Sequence, residues 1–195
     1  MTDAEFAAYI ALCKQPWRDV ALLIRNEGMC PGECYKLRWE HVLLEDGRDD
    51  RLGLIQIAEG KTKARRRLLP MVPEVHDALR NRWLAQGKPA SGWVFPAESR
   101  SGHLEQGSAK NYHAKAVKAL QAASDAFKRF EPYCLRHTAL TRLAEAGCDA
   151  FTLAKIAGHS SITMTARYCH PQAEAIERAF RKLTARELPP AGPSS

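Results

Sequence analysis

Apolar residues recur at helical spacing through the first forty positions of the chain. This pattern predicts a helix over about 2–14, a second over 16–26 and a third from residue 31 through "PGECYKLRW". The start and stop residues agree with these bounds. Threonine and aspartate stand at the start of the first helix, prolines open the other two, and Gly28 closes the second.

Alternation of apolar and polar residues replaces the helical period after a polar turn, "EDGRDD" (45–50). The segments "RLGLIQIAEG" (51–60) and "RRRLLPMV" (65–72) alternate like the two strands of a hairpin, and the basic turn "GKTKA" links them. The short apolar run "GWVFP" (92–96) predicts an edge strand. We therefore expect one small antiparallel sheet near the N-terminal third of the chain.

Helical periodicity returns in the rest of the chain. The predicted helices cover 73–87, 105–124, 131–147, 150–159, 161–168 and 172–186. The tail "ELPPAGPSS" (187–195) has the composition of a disordered end. Together these elements predict an α+β fold that is mainly α, with one domain over 1–186.

The bulk composition narrows the class of partner. The 195 residues are 45% apolar and 26% charged, which is ordinary for a globular protein. A formal net charge of +7 at pH 7 favours a polyanionic partner such as nucleic acid. The chain shows neither a secretory signal pattern nor a run of the ~18–20 apolar residues that a membrane helix requires. We expect a cytoplasmic or nucleoid-associated protein with no membrane attachment.

The six cysteines indicate reduced thiols rather than a disulfide framework, because none of them form a C-x-x-C pair. Cys30 and Cys34 could share one helix face. No His/Cys pair at zinc-finger spacing completes a site around them, so no metal is expected.

Four polar segments could carry chemistry. They are "EGMCPGECYKLRW" (27–39), "GKTKARRR" (60–67), "YCLRHT" (133–138) and "GHSSITMTARY" (158–168). Taken singly, they have ordinary interpretations: a solvated basic turn, a surface Arg-His pair and a core tyrosine. Taken together and in this order, they resemble the catalytic domain of the tyrosine recombinases, the phage-integrase family. That family carries T-G-x-R-x-x-E-x-x-x-L, a hairpin lysine, H-x-x-R-H, L/G-G-H, and a tyrosine about nine residues further on.

The resemblance implies transesterification at a DNA phosphodiester. The family uses no metal, ATP or other cofactor, so the protein's own side chains must stabilise the phosphoryl transition state. Tyr168 matches the nucleophile that forms a 3′-phosphotyrosyl link. Arg136 is expected to bind the non-bridging oxygens through its planar guanidinium. His159 is expected to hydrogen-bond the same phosphate or to assist proton movement.

The basic hairpin supplies the general acid under the same resemblance. Lys61 is expected to protonate the departing 5′-oxygen, and Lys63 is the competing assignment because the register of the turn stays open. Three arginines of this segment are expected to contact DNA along with Lys63: Arg65, Arg66 and Arg67. Two further matches would support the site. Glu33 matches a carboxylate that orients the surroundings of the family's first arginine, and His137 is expected to support the site from inside the fold.

The chain departs from the family pattern at two catalytic positions. Cys30 stands where the first arginine is expected, and a thiol offers one weak donor in place of five donors and a permanent charge. Neither Arg25 nor Arg38 is a good substitute by position. Tyr133 stands where the family usually has histidine and sometimes lysine, and it keeps a hydroxyl donor without a charge. We expect Cys30 to weaken cleavage, and the alternative is an inactive DNA-binding or regulatory module.

The resemblance also sets expectations for partners. Double-stranded DNA is the expected partner, and a homo-oligomer, a tetramer on DNA, is expected of the full-length protein. Helix 172–186 could dock on a neighbouring protomer or pack on its own domain. The family's N-terminal core-binding domain is expected to be absent, which would weaken DNA binding. A topoisomerase-like nicking enzyme and a helical protein without a nucleic-acid role are the remaining alternatives.

Overall fold

The computed structural model describes residues 1–45, 52–58, 66–123, 127–169 and 180–181. The helices within these ranges are α1 (Asp3–Leu12), α2 (Trp17–Glu27), α3 (Pro31–Tyr35), α4 (Pro73–Ala85), α5 (Gln106–Ala123), α6 (Tyr133–Glu145), α7 (Ala150–Ala157) and α8 (Thr163–Ala166). The strands are β1 (Val42–Leu43), β2 (Leu54–Ile57) and β3 (Arg67–Pro70). The predicted α+β class, mainly α with a small antiparallel sheet, is confirmed.

Helix α2 lies at the centre of the core. It packs against α1, α4 and α6, and its Trp17 and Ile24 side chains are fully buried. Helix α1 begins with a capping box, because the side chains of Thr2 and Glu5 each accept the other residue's backbone N–H. Helix α2 ends at Gly28, whose φ of 65° lies in the left-handed region. The predicted start of α1 and stop of α2 are confirmed.

The sheet has the order β1–β2–β3, and both pairs are antiparallel. In the β2–β3 register, Leu54 lies opposite Pro70 and Ile57 lies opposite Arg67. The two strands of the predicted hairpin are therefore confirmed, while β1 is an additional strand. The turn of the hairpin lies outside the described residues.

Helix α3 is shorter than the sequence pattern predicts. It ends at Tyr35, and a 3-10 turn at Trp39–His41 follows before β1. Tyr35, the last residue of α3, and Leu37, beyond its end, both have buried side chains. The apolar pattern in the sequence therefore continues past the end of the helix. That continuity explains why the pattern extended the helix to residue 39.

The predicted edge strand at 92–96 is wrong. Trp93 forms a single antiparallel bridge with Arg38, and Pro96 forms another with His103. Two partners in different parts of the chain cannot make one ladder, and a proline has no N–H to continue it. The apolar character of the segment reflects its own Val94 and Phe95 side chains, which are fully buried.

Helices α6, α7 and α8 form a smaller layer. Helix α6 packs on α2, and α7 packs on α6, α8 and β3. A second buried cluster of Leu140, Leu153 and Ala157 holds this layer together, and Tyr168 and Cys169 pack against it. The end of α2, the start of β3 and the C-terminus of α7 therefore meet in one region.

The predicted helix over 172–186 lies mostly outside the described residues, and within it Phe180 and Arg181 are helical. The predicted tail over 187–195 lies wholly outside them. In the described part of the chain, no helix is both long and apolar enough to cross a bilayer.

Candidate active site

Two arginines donate to consecutive carbonyls at the C-terminus of α7. The Nε of Arg67 lies 2.6 Å from the carbonyl oxygen of Ile156, and the Nη2 of Arg136 lies 2.5 Å from that of Ala157. The last carbonyls of a helix lack intrahelical partners, and cations are favourable at this negative end of the dipole. The next residue, Gly158, takes the left-handed conformation and turns the chain into His159.

Arg136 is a buried guanidinium that joins two helix ends. Its Nη1 donates to the carbonyl oxygen of Gly28 at 2.5 Å, in addition to the bond with Ala157. The residue is 2% exposed, and within the described ranges no carboxylate forms a salt bridge with it. Its Nε is buried without a hydrogen-bond partner there. A buried charge whose short hydrogen bonds go to carbonyl oxygens and not to a carboxylate is suited to an anionic ligand.

His159 lies beside this guanidinium in a defined orientation. Its Nε2 lies 3.4 Å from Nη2 of Arg136, and its Nδ1 lies 2.9 Å from the hydroxyl of Thr165. Because a guanidinium only donates, Nε2 must be the acceptor, so the proton of the neutral ring resides on Nδ1. The Thr165 hydroxyl, on the fully buried side chain of an α8 residue, then accepts that proton's hydrogen bond. Nothing in the sequence pattern had singled out Thr165.

The Tyr168 hydroxyl contacts His137. Its Oη lies 2.5 Å from Nδ1 of His137, and the two rings are 5.8 Å apart between centroids. Burial raises the pKa of Tyr168; the nearby Tyr133 adds to this, and Arg167 and Arg136 oppose it. Burial, with the charges of Arg167 and Arg136, lowers the pKa of His137. At neutral pH the phenol therefore donates and the neutral imidazole accepts.

Tyr133 covers the site from one turn earlier on α6. Its ring stands edge-on to the ring of His137, with centroids 5.0 Å apart. The guanidinium carbon of Arg136 lies 5.9 Å from the Tyr133 centroid. Tyr133 is 44% exposed, whereas the neighbouring Arg136 is buried. The residue that replaces the family's histidine thus lies at the site.

Cys30 lies beside an ion pair in the same region. Its backbone N–H donates to Oε2 of Glu33 at 2.8 Å. The two carboxylate oxygens of Glu33 also accept from Arg67, at 3.0 and 2.9 Å. Burial pushes the pKa of Glu33 upward, but the hydrogen bonds and charge of Arg67, with the Cys30 N–H, outweigh it and hold that pKa below its usual value.

The guanidinium of Arg67 is buried between Glu33 and Ile156, and the expected contact of Arg67 with DNA stays a prediction. The register of β3 is the physical cause, since Arg67 and Leu69 face inward while Leu68 faces outward. The inward alternation was present in the sequence, but the run of three arginines concealed it.

Of the four remaining basic residues of the predicted site, the structure describes one. Arg66 is exposed immediately before β3. Lys61, Lys63 and Arg65 lie outside the described residues, so their roles remain predictions. The structure brings the side chains of Arg136 and His159 together, and it also brings together those of Tyr133, His137 and Tyr168.

The fold is shared with solved structures of an integrase and a recombinase. The Tn1549 transposon integrase, solved with circular intermediate DNA, superposes with a TM-score of 0.67 at 22% identity, over 94% of this chain and 66% of that one. XerA recombinase gives a TM-score of 0.66 at 21% identity, over 94% and 62%. At these identities the likeness establishes the fold alone.

The chain belongs to the phage integrase family, whose model matches residues 2–175. Tyrosine recombinase XerD of Brucella suis biovar 1 (strain 1330) is 30% identical over 194 residues, covering 88% of this chain and 59% of that protein. Tyrosine recombinase XerC of Mycobacterium leprae (strain TN) is 33% identical over 130 residues, covering 64% and 41%. The chain therefore spans about 59% of the length of the XerD relative.

Proposed function

We propose that this chain is the catalytic domain of a site-specific tyrosine recombinase, which cuts and rejoins double-stranded DNA through a 3′-phosphotyrosyl link to Tyr168. The observation that carries this proposal is the placement of two consecutive residues of α6. The buried guanidinium of Arg136 contacts His159, and His137 forms a hydrogen bond with the Tyr168 hydroxyl. Family membership supports the reaction class.

The described geometry suits phosphoryl transfer without a metal. The N–H groups of Arg136 that face away from the helix carbonyls bind the non-bridging oxygens of the scissile phosphate. His159 donates to the same phosphate from Nε2, which takes up a proton as the phosphate displaces the long contact with Arg136, while Nδ1–H keeps its bond to Thr165. Lys61, or Lys63 in the other register, protonates the departing 5′-oxygen. Because the tyrosyl ester conserves the energy of the phosphodiester, rejoining needs no external energy source.

Cys30 weakens this activity. The family's first arginine would place a second guanidinium at this position, and the thiol provides one weak donor instead. Arg67 lies nearby, but it does not replace the missing cation because its described hydrogen bonds go to Glu33 and Ile156. Arg25 is also unsuitable, because it is buried and bonds Asp3. Loss of one such donor typically lowers the rate by ~10²–10³.

DNA is the partner that the charge and the site favour. The net charge of +7 and the exposed Arg66 near the site suit a phosphate backbone. Assembly into a tetramer on DNA, and location with the nucleoid in the cytoplasm, belong to the same proposal. Single domains of this kind are expected to bind DNA with a steep dependence on salt.

A second candidate function follows from Cys30. If the thiol abolishes cleavage, the chain is a DNA-binding or regulatory module that keeps the recombinase fold. Both candidates predict salt-dependent DNA binding, and the covalent product alone separates them.

The test is covalent capture on a nicked suicide duplex, in which the cleaved strand loses a short fragment and cannot be rejoined. The wild-type chain should form a protein–DNA adduct that survives denaturing gels, and Tyr168→Phe should abolish it. Tyr112→Phe, on α5, is the matched control and should keep the adduct. An adduct that survives in Tyr168→Phe contradicts the proposal, and binding without any adduct favours the second candidate.

A further inference from the structure

The Tyr168 hydroxyl has one described hydrogen-bond partner, and that partner is a base. The 2.5 Å contact between Oη of Tyr168 and Nδ1 of His137 is as short as the bonds that Arg136 makes. A phenol that attacks phosphorus must lose its proton, and the group that accepts the proton must lie within hydrogen-bond reach of the oxygen. His137 meets this geometric requirement before any substrate is bound.

The neighbouring side chains do not compete for this role. The Nε2 of His159 faces the Arg136 guanidinium, and its Nδ1 faces the Thr165 hydroxyl. Tyr133 occupies the position of the family's histidine, and a protonated phenol is not a base near neutral pH. Among the described side chains at the site, His137 is therefore the acceptor that the Tyr168 proton can reach.

The charges around His137 suit a base that is neutral at rest. Burial, then Arg167 and Arg136, lower its pKa and keep the imidazole unprotonated. A bound phosphodiester would offset these two cations and raise the proton affinity of the ring at the moment of attack. His137 also lines a surface pocket, whose other titratable or charged residues are Met1, Cys134, Arg142 and Glu145.

We propose that His137 is the general base that accepts the proton of Tyr168 during strand cleavage and returns it during rejoining. This role rests on the proposed recombinase function. As Oη of Tyr168 bonds to phosphorus, its proton moves to Nδ1 of His137; the bond from phosphorus to the 5′-oxygen breaks, and that oxygen takes a proton from the hairpin lysine. Rejoining reverses each step, so the proton on His137 returns to the tyrosyl oxygen.

The test is single-turnover cleavage of the suicide duplex by His137→Asn across about pH 5 to 9, spanning the range in which imidazole titrates. Asparagine places an acceptor oxygen near the Nδ1 position but cannot take up a proton, so the hydrogen bond survives and base catalysis does not. We expect a loss of roughly 10²–10⁴-fold near neutral pH. His41→Asn, in the 3-10 turn, is the matched control and should cleave at the wild-type rate.

The pH profile separates catalysis from positioning. Wild-type cleavage should fall by about tenfold per pH unit below the lowered pKa of His137, because the protonated ring cannot accept. In His137→Asn the break at that pKa and the plateau above it should disappear, and the rate should rise with pH across the whole range as more phenolate forms. An equal loss of rate at every pH, or an unchanged rate, overturns the inference.

A duplex with a 5′-bridging phosphorothiolate adds a second arm, because its thiolate leaving group needs no acid. His137→Asn should remain slow on this duplex, whereas Lys61→Ala or Lys63→Ala should recover; recovery of His137→Asn overturns the inference. If neither wild type nor Cys30→Arg forms any adduct, the proposed function fails and His137 loses its catalytic role with it. Adducts in wild type with no effect of His137→Asn overturn the inference alone.

Discussion

Arg67 and Arg136 hold adjacent carbonyls at the end of α7, Arg67 from the sheet and Arg136 from α6. The position of His159, two residues beyond Ala157, is therefore tied to two layers of the fold at once. Arg67 also forms the ion pair with Glu33, so the same contact network extends to the residue before α3, Cys30. Substitution of either arginine should therefore alter the position of the turn that carries His159.

Arg67→Ala should destabilise the fold, and Arg66→Ala should not. Removing Arg67 leaves the buried Glu33 carboxylate without its cation, which typically lowers the free energy of unfolding by about 3–5 kcal/mol. Arg66 is exposed, and its removal should change stability by less than about 0.5 kcal/mol. Urea denaturation of both variants measures the difference.

For DNA binding we expect the opposite order of effects, with Arg66→Ala changing the salt dependence of affinity more than Arg67→Ala. Arg66→Ala should reduce the slope of log affinity against log salt by about one, as expected for one lost phosphate contact. Arg67→Ala, assayed where it is still folded, should leave that slope unchanged. Equal slopes for Arg66→Ala and wild type would show that Arg66 does not contact the backbone.

Glu27 should make the fold less stable as the pH rises. Burial raises the pKa of Glu27 to about 7, while its Oε1 accepts from the backbone N–H of Val72. The folded state therefore favours the protonated acid, and this stabilisation, present below the unfolded pKa near 4.5, is lost as the pH rises through about 7.

Glu27→Gln removes this titration while it keeps an acceptor for Val72. Relative to wild type, we expect the variant to gain on the order of 1–3 kcal/mol in the free energy of unfolding between about pH 4 and pH 8. Thermal or urea unfolding at several pH values is the measurement. Parallel stability curves for the two proteins would show that Glu27 is charged in the folded state.

Thr165→Val should slow cleavage without unfolding the protein. Valine has nearly the shape of threonine but cannot accept from Nδ1–H of His159, so the ring loses the bond that sets its tautomer. A hydrogen bond of about 1–1.5 kcal/mol corresponds to roughly a tenfold loss in single-turnover adduct formation. Thr165→Ser restores the hydroxyl and should recover most of the rate; a serine variant as slow as valine would argue against the hydrogen bond.

Cys30→Arg should speed cleavage. A guanidinium at this position would add the cation that the family pattern places there, and we expect adduct formation to increase by roughly 10² or more. Cys30→Ser is the matched control, because it removes the thiol without adding charge. If Cys30→Arg and Cys30→Ser cleave at the same rate, position 30 does not contact the phosphate.

The sequence predicted those parts of the fold that depend on local chemistry. Caps and stops such as Thr2 and Gly28 were readable because each satisfies a helix end with its own side chain or backbone. The strands of the hairpin were readable from their alternation. The segment at 92–96 was misassigned because Val94 and Phe95 are buried as strand residues would be, yet the segment forms only isolated bridges and no ladder.

The sequence proposed the members of the candidate site, but it did not indicate the contacts among them. The order of the polar segments singled out Arg136, His159 and Tyr168. The pairing of Tyr168 with His137 depends on how the residues after α8 lie against α6, and that arrangement leaves no periodic signal. The inward orientation of Arg67 depends on the register of β3, which a run of charged residues hides.

The most direct measurement is to digest the adduct from the suicide duplex and locate the nucleotide by tandem mass spectrometry. The proposed function predicts a single modified peptide, with the phosphate esterified to the oxygen of Tyr168 and with the DNA attached through its 3′ end. Attachment at another residue, such as Tyr133 or Cys30, or attachment through a 5′ end, would contradict the assignment of Tyr168 as the nucleophile.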